Sequence, residues 1–186
     1  MAALLQHTAA LAWLLLATAP AGAAGAHQHG VASLQVVAEG NSLSLTLDSP
    51  LDNLLGFERG PRSEAERAAV RAMAQRFHAG AALAQPTPAA GCQLQTVALA
   101  SEVIAPALLA KGGVAPGAAS PPAAGGHADL VATLGFHCSQ PQALKGVALG
   151  GLFQAFPRLR QLDTAVVAPG VQRGVKLGAK QPVLAW

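Results

Sequence analysis

The stretch VASLQVVAEGNSLSLTL, residues 31–47, alternates apolar and polar side chains on either side of a short turn. Gly40 and Asn41 separate the two halves, and such a dipeptide between alternating runs is typical of a two-residue β-hairpin connection. The stretch therefore predicts two antiparallel strands that each bury one face. The apolar residues of those faces are Ala32, Leu34, Val36, Leu43, Leu45 and Leu47.

Residues 61–80, PRSEAERAAVRAMAQRFHAG, predict an α-helix at about residues 63–79. Ser63 precedes Glu66 by three positions, which is the spacing of a capping box, and Gly80 supplies a stop signal. Apolar residues recur at helical spacing, so the helix is expected to bury one stripe of side chains. That stripe consists of Val70, Met73, Ala74 and Phe77.

Four later segments also alternate and predict strands. They are CQLQTVALASEV at 92–103, HADLVATLGFHC at 127–138, QLDTAVVA at 161–168 and VQRGVKLG at 171–178. Residues 144–159 mix helical and loop signals, so their structure is left open. Together the elements predict a mainly β fold that is β-sandwich-like, or an α+β fold, with antiparallel sheets and one capped α-helix.

Residues 1–26 are predicted to form a secretory signal peptide. The apolar run at 9–19 is too short to anchor in the roughly 30 Å hydrocarbon core of a bilayer, and Ala-x-Ala tripeptides follow it. No Lys or Arg precedes the run, which is atypical of such leaders. We expect cleavage within residues 23–26 and a single exported domain, 27–186, without a membrane span. The Gly/Pro/Ala-rich residues 111–126 predict a flexible loop inside it.

Composition argues against several classes of function. Aromatic residues make up 4% of the chain, Tyr is absent and no basic run accompanies the net charge of +3, so nucleic-acid binding is not expected. The chain lacks a Gly-x-Ser-x-Gly elbow, a His-Glu-x-x-His helix and a phosphate loop, so we expect no enzyme. Ligand types alone still leave a zinc hydrolase open.

Cys92 and Cys138 are the two cysteines of the chain, and each borders a predicted strand. In an oxidising compartment an even pair most simply forms a disulfide. The alternative is a thiolate metal site, but such a site usually needs closely spaced pairs such as Cys-x-x-Cys, which are absent.

Five segments in order resemble the ZrgA family. They are HQHG at 27–30, SPLDNLLGFERGPRSEAERAAV at 49–70, GCQL at 91–94, HADLVATLGFHCSQPQAL at 127–144 and GLFQAFPRLRQLD at 151–163. The resemblance spans nearly the whole mature chain. It implies a periplasmic zinc-binding protein linked to bacterial zinc uptake, with a zinc transporter or envelope component as its partner.

The chain departs from the pattern of that family at three places. Relatives typically carry His after Gly-Phe-Glu, where Arg59 stands, and an aromatic residue where Leu134 stands. They also carry a His- and acid-rich insertion, where residues 111–126 contain Lys111 as their single charged residue. The resemblance therefore does not imply high-capacity zinc loading.

His27 and His29 are the first candidates for a metal site, because imidazoles at i and i+2 on a strand project to the same face and zinc favours His nitrogen. His127 leaves a predicted loop toward an outer strand face, and Glu58 offers a carboxylate oxygen. We expect zinc to be bound by His27, His29, His127 and Glu58. Copper is the alternative metal, since cleavage after residue 26 would create an amino-terminal site with His29 as its third residue.

The remaining polar candidates have simpler interpretations. His78 is expected to cap its helix at the surface, and His137 to be an exposed strand residue. Asp52 and Asp129 are expected to serve local structure, and Glu58 also has Arg59 and Arg62 as nearby pairing partners. The sequence thus predicts an exported periplasmic protein that buffers or delivers zinc. The alternatives are a copper-handling protein and an envelope interaction module that binds no metal.

Overall fold

The computed structural model describes residues 28–112 and 128–186. Most of its strands form one six-stranded sheet with the order β4-β5-β2-β1-β7-β8. These strands are β1 (Val31–Glu39), β2 (Ser42–Pro50), β4 (Cys92–Ala100), β5 (Asp129–Cys138), β7 (Gln161–Ala168) and β8 (Val171–Gly178). The fold is mainly β and sandwich-like, as predicted.

The predicted hairpin and its alternation are confirmed. Glu39 pairs with Ser42 across the Gly40–Asn41 turn, and Leu34 pairs with Leu47 further along. The apolar residues of β1 and β2 are buried, and those of β5 continue the same buried face. A second hairpin joins β7 to β8 at Pro169 and Gly170, and its two strands coincide with the predicted segments 161–168 and 171–178.

The pairing of β1 with β7 differs from the prediction of antiparallel sheets. These strands run parallel, with Val31 opposite Gln161 and Val37 opposite Val167, so the large sheet is mixed. Alternation within a strand reports which face is buried, but it carries no information about the direction of the neighbouring strand. The parallel pairing brings the segment before β7 to the start of β1.

Helix α2 (Glu64–His78) matches the predicted helix and its buried stripe. Ser63 and Glu66 form the predicted capping box, and the cap at the other end is Ala79. Gly80 then begins a 3-10 turn, and a Cβ at Gly80 would clash with the Leu134 side chain. The buried residues of α2 are Val70, Met73, Ala74 and Phe77. Together with inward-facing leucines of the sheet, Phe77 lines one small apolar cavity in the core.

Shorter elements complete the layer that covers the inner face of the large sheet. A three-stranded sheet has the order β3-β6-β9, and Phe153 of α4 and its neighbour Phe156 are buried with it. The elements are β3 (Gln85–Pro86), β6 (Gly146–Ala148), β9 (Val183–Ala185), α1 (Leu51–Leu55), α3 (Pro106–Leu109) and α4 (Gly150–Ala155). Phe156 stacks on Phe77 with ring centroids 5.3 Å apart, which ties α4 to α2. The segment 144–159, left open from the sequence, thus supplies much of the second layer.

Cys92 and Cys138 form the predicted disulfide, with their sulfurs 2.04 Å apart. The two residues are directly opposite each other in the pairing of β4 with β5. Since β4 is an edge strand of the large sheet, the disulfide fastens that edge to its neighbour.

The predicted signal peptide at 1–26 and most of the predicted loop at 111–126 lie outside the described residues. Across 28–112 and 128–186, no helix combines the length and apolar character that a membrane span requires.

We predict that the Cys92→Ala/Cys138→Ala variant loses about 2–4 kcal/mol of unfolding free energy, because opening a closed segment of this length restores chain entropy to the unfolded state. The separation of 46 residues sets the size of that segment. Urea unfolding of the variant and of the wild type, with and without reductant, measures the loss. Reductant is expected to change only the wild type, and equal stability of all samples would contradict the prediction.

Candidate metal-binding site

Three chain segments meet at the edge of the large sheet where β1 begins. They are the turn at residues 28–30, helix α1 after β2, and residues 158–160 before β7. The antiparallel hairpin returns the end of β2 to the start of β1, and the parallel pairing places the start of β7 beside it. The sheet topology therefore assembles side chains that lie far apart in the sequence.

Asn53 fixes the position of the turn that carries His29. Its side-chain oxygen accepts a hydrogen bond from the Gly30 backbone N–H at 2.6 Å, and its amide nitrogen donates to the Val31 carbonyl at 2.9 Å. Asn53 is 1% exposed, and its bond with Gly30 is buried. Gly30 has φ of +83°, a backbone conformation that glycine adopts without strain. Its carbonyl accepts hydrogen bonds from the backbone N–H groups of Arg160 and Gln161 at 2.8 and 2.9 Å.

His29 and Asp52 form the closest polar pair at this edge. The His29 Nδ1 lies 3.1 Å from an Asp52 carboxylate oxygen, and the same nitrogen lies 3.9 Å from a Glu58 oxygen. The side chain of His29 is 67% exposed, whereas that of Asp52 is 17% exposed. The pair thus consists of an accessible imidazole that rests on a largely covered carboxylate.

His29 is not on the strand, which corrects one argument from the sequence. It occupies the turn before β1, and β1 begins at Val31. The alternation of a strand therefore does not decide where its ring points. The orientation follows instead from the hydrogen bond to Asp52.

The acidic neighbours raise the pKa of His29 above its usual 6.5. The hydrogen bond to Asp52 contributes most, followed by the negative charges of Glu58 and Asp52, while desolvation and the positive charge of Arg158 act in the opposite direction. A carboxylate can only accept a hydrogen bond, so Nδ1 carries the proton in this contact. In the neutral ring, Nε2 is therefore unprotonated, and its lone pair is available as an acceptor or a metal ligand.

Arg158 completes the charged group at this edge. One of its terminal nitrogens lies 3.5 Å from the second oxygen of Asp52. Its guanidinium also lies against Gly56, where a Cβ would stand 3.2 Å from Nε. We refer to His29, Asp52, Glu58 and Arg158 as the His29 cluster.

The other predicted ligands, His27 and His127, lie outside the described residues. The described residues next to them are part of the same edge. His27 precedes His29 by two positions, and the carbonyl of Ala128 accepts a hydrogen bond from the Leu51 N–H at 2.8 Å. Leu51 directly precedes Asp52, so the chain on the carboxyl side of His127 is anchored beside the cluster.

Asp52 and Arg158 were missed as members of the site. The sequence predicts only a local structural role for Asp52, but Asp52 lies in the short helix α1, Leu51–Leu55, which ends at Gly56 in the left-handed conformation, and its carboxylate contacts His29. The predicted hairpin gives a weak indication of the role of Asp52. It returns the chain to the start of its first strand, so residues just after the second strand must lie near those just before the first. No comparable signal indicated Arg158, since its approach depends on the parallel pairing of β7.

Arg59, the residue after Glu58, pairs with Glu66 at the start of α2. Its guanidinium makes two hydrogen bonds to Glu66, at 2.7 and 3.0 Å, and lies over the Phe57 ring. These bonds, together with those from the Arg62 and Ser63 N–H groups, lower the pKa of Glu66 to about 2. Arg59 thus holds the loop to the start of α2. Among the described contacts, Arg59 and the Arg62 N–H bind Glu66, so the alternative pairing of Glu58 with these arginines is not formed.

Two further histidines have structural surroundings. His78 is half-buried and its Nε2 donates to the Leu109 carbonyl at 2.8 Å, so it joins α2 to α3 instead of capping its own helix at the surface. His137 is exposed on the outer face of β5, as predicted.

Within residues 28–112 and 128–186, no three His, Cys, Asp or Glu side chains are grouped so as to hold a metal ion. The His29 cluster supplies one imidazole and two carboxylates. The Glu58 oxygen, however, lies 3.9 Å from His29 Nδ1, and the Asp52 carboxylate already accepts the hydrogen bond from His29. Any metal at this edge therefore needs donors in addition to those described.

The fold and the cluster define a mainly β protein with an exposed, carboxylate-supported histidine at one sheet edge. A family model for the ZrgA family zinc uptake protein matches residues 26–186. The chain belongs to this family of zinc uptake proteins, which is not a family of enzymes. No curated protein matches the chain.

We predict that Asp52→Asn lowers the pKa of His29, because the substitution removes a charged hydrogen-bond acceptor and its negative charge. NMR titration of the metal-free protein measures this pKa directly. An unaltered His29 pKa would mean that the contact with Asp52 does not persist in solution.

Proposed function

We propose that this protein is exported to the periplasm, binds zinc at the His29 cluster, and buffers the ion or delivers it to an uptake system. The observation that carries the proposal is the hydrogen bond from His29 Nδ1 to Asp52. Metal-binding histidines commonly donate one ring N–H to a carboxylate, which fixes the tautomer and makes the other nitrogen a better ligand. With His29 67% exposed, that other nitrogen is accessible from solvent.

The proposed ligands are His27, His29, His127 and Glu58, a set of nitrogen and oxygen donors that suits tetrahedral zinc. His27 is proposed because only two residues of chain, which span at most about 7 Å, connect it to His29. The anchoring of Ala128 to Leu51 supports His127 in the same way. Glu58 is 38% exposed, and its flexible side chain already lies close to the His29 ring.

Asp52 has a separate role in this proposal. It orients His29 and supplies a negative charge close to the metal, without being counted as a ligand. Loss of such a supporting carboxylate typically lowers metal affinity by about 10- to 100-fold. Asp52 is well suited to the role because α1 and the buried neighbour Asn53 hold its backbone in place.

Zinc is the cargo in this proposal, and no reaction is assigned to it. Cargo that must be handed on is best held by accessible side chains near the surface, and His29 and Glu58 are both exposed. The Cys92–Cys138 disulfide and the predicted leader at 1–26 support export to an oxidising compartment.

We predict that His29→Ala lowers zinc affinity at least about 10-fold, since a ligand is lost from a site of three or four. The unfolding free energy of the zinc-free variant is expected to stay within about 0.5 kcal/mol of the wild type, because the removed side chain is exposed. Calorimetric zinc titration and urea unfolding of untagged mature protein measure the two quantities.

His137→Ala is the matched control. It removes another exposed histidine, which lies at the end of β5 that is far from helix α1 and the His29 cluster. It is expected to retain the zinc affinity of the wild type. Equal affinity in His29→Ala and the wild type would overturn the proposed site. Tight copper binding together with weak zinc binding would instead support the copper-handling alternative.

The export part of the proposal has its own test. We predict that protein recovered from the bacterial envelope begins between residues 24 and 27, because the small residues there resemble a signal-peptidase site. Intact-mass measurement identifies the first residue. Recovery of the full-length chain from the cytoplasm alone would contradict export.

A further inference from the structure

Arg158 is a positive charge placed beside a site that we propose to hold a positive ion. Its terminal nitrogen lies 3.5 Å from one oxygen of Asp52, while His29 Nδ1 lies 3.1 Å from the other oxygen. The Asp52 carboxylate is therefore shared between the histidine and the guanidinium. The inference drawn from this arrangement rests on the proposed function.

The chain on both sides of Arg158 is fixed, so its approach to Asp52 is built into the fold. Leu159 is buried, and the Arg160 N–H donates to the Gly30 carbonyl at 2.8 Å. The guanidinium itself lies over Gly56, whose left-handed conformation ends α1 and whose missing side chain leaves the space. Any other residue at position 56 would crowd Arg158 and strain the backbone.

Asp52 does not need Arg158 to hold it in place. Its carbonyl accepts the Gly56 N–H at 3.0 Å, and the adjacent Asn53 is buried and hydrogen-bonded to the turn. The side chain of Asp52 is 17% exposed, whereas that of Arg158 is 63% exposed. The more exposed partner of this pair is thus the arginine, and its main effect on Asp52 is to offset the negative charge of the carboxylate.

We propose that Arg158 weakens zinc binding by neutralising the Asp52 carboxylate on which His29 depends, and so keeps the bound ion exchangeable. Without a cationic partner, the Asp52 carboxylate would make the His29 nitrogen a stronger ligand and would attract the cation more strongly. The positive charge of Arg158, 3.5 Å from that carboxylate, offsets part of this attraction. The arginine thereby favours release, as a protein that hands on its cargo requires.

The test compares zinc affinity in untagged mature wild type, Arg158→Gln and Arg158→Met, by competition with a chromophoric zinc chelator at low ionic strength. Both variants are expected to bind zinc about two- to fivefold more tightly, because an exposed charge pair has an effect of this small size. Two replacements with different polarity and packing separate the loss of charge from a local change in packing. Circular dichroism confirms that each variant is folded.

Lys145→Gln is the charge-matched control, because Lys145 lies near the Gly40 turn, at the opposite end of β1 from His29. It is expected to leave zinc affinity unchanged. The tightening by Arg158→Gln is also expected to disappear in an Asp52→Asn background, since the carboxylate through which it acts is gone.

Unchanged or weaker zinc binding by both Arg158 variants would overturn the inference, and so would equal tightening with and without Asp52. Failure of the proposed function has a different signature. In that case the wild type binds no zinc, or His29→Ala binds it as tightly as the wild type.

Discussion

Burial of one face of the six-stranded sheet fixes the register of its strands, and with it the position of everything at the sheet edges. Leu34 pairs with Leu47, which in turn pairs with Ala132, and all three are buried. A slip of one residue in any strand would turn its apolar set toward solvent. The free energy of that burial therefore also determines that α1 returns beside the turn carrying His29.

The His29 cluster shows how a rigid frame supports an exposed site. Asn53, almost fully buried, ties the turn to α1 by two hydrogen bonds, and the neighbouring Asp52 reaches outward to the imidazole. The side chain of His29 is 67% exposed, so replacing it is expected to change the unfolding free energy little. Substitutions in the buried frame are expected to destabilise the fold, whereas substitutions of the exposed ligand His29 are not.

Glu58 and Arg59 are adjacent in the sequence but belong to different groups of charged side chains. The Arg59 guanidinium binds both carboxylate oxygens of Glu66 at the start of α2. The neighbouring Glu58 lies 3.9 Å from His29 Nδ1. The proposed site in this chain accordingly depends on the turn at residues 28–30 and on α1, with no donor from position 59.

Local patterns in the sequence determined the central hairpin, the capped helix α2 with its buried stripe, and the pairing of Cys92 with Cys138. These features depend on side chains that are neighbours along a strand or a helix, or on the chemistry of two cysteines in an oxidising compartment. The tertiary structure alone decided the parallel pairing of β1 with β7, the layer built from residues 144–159, and the approach of Asp52 and Arg158 to His29. Those contacts join segments more than 20 residues apart, and they form because the whole sheet must bury one face, a requirement that no single segment expresses.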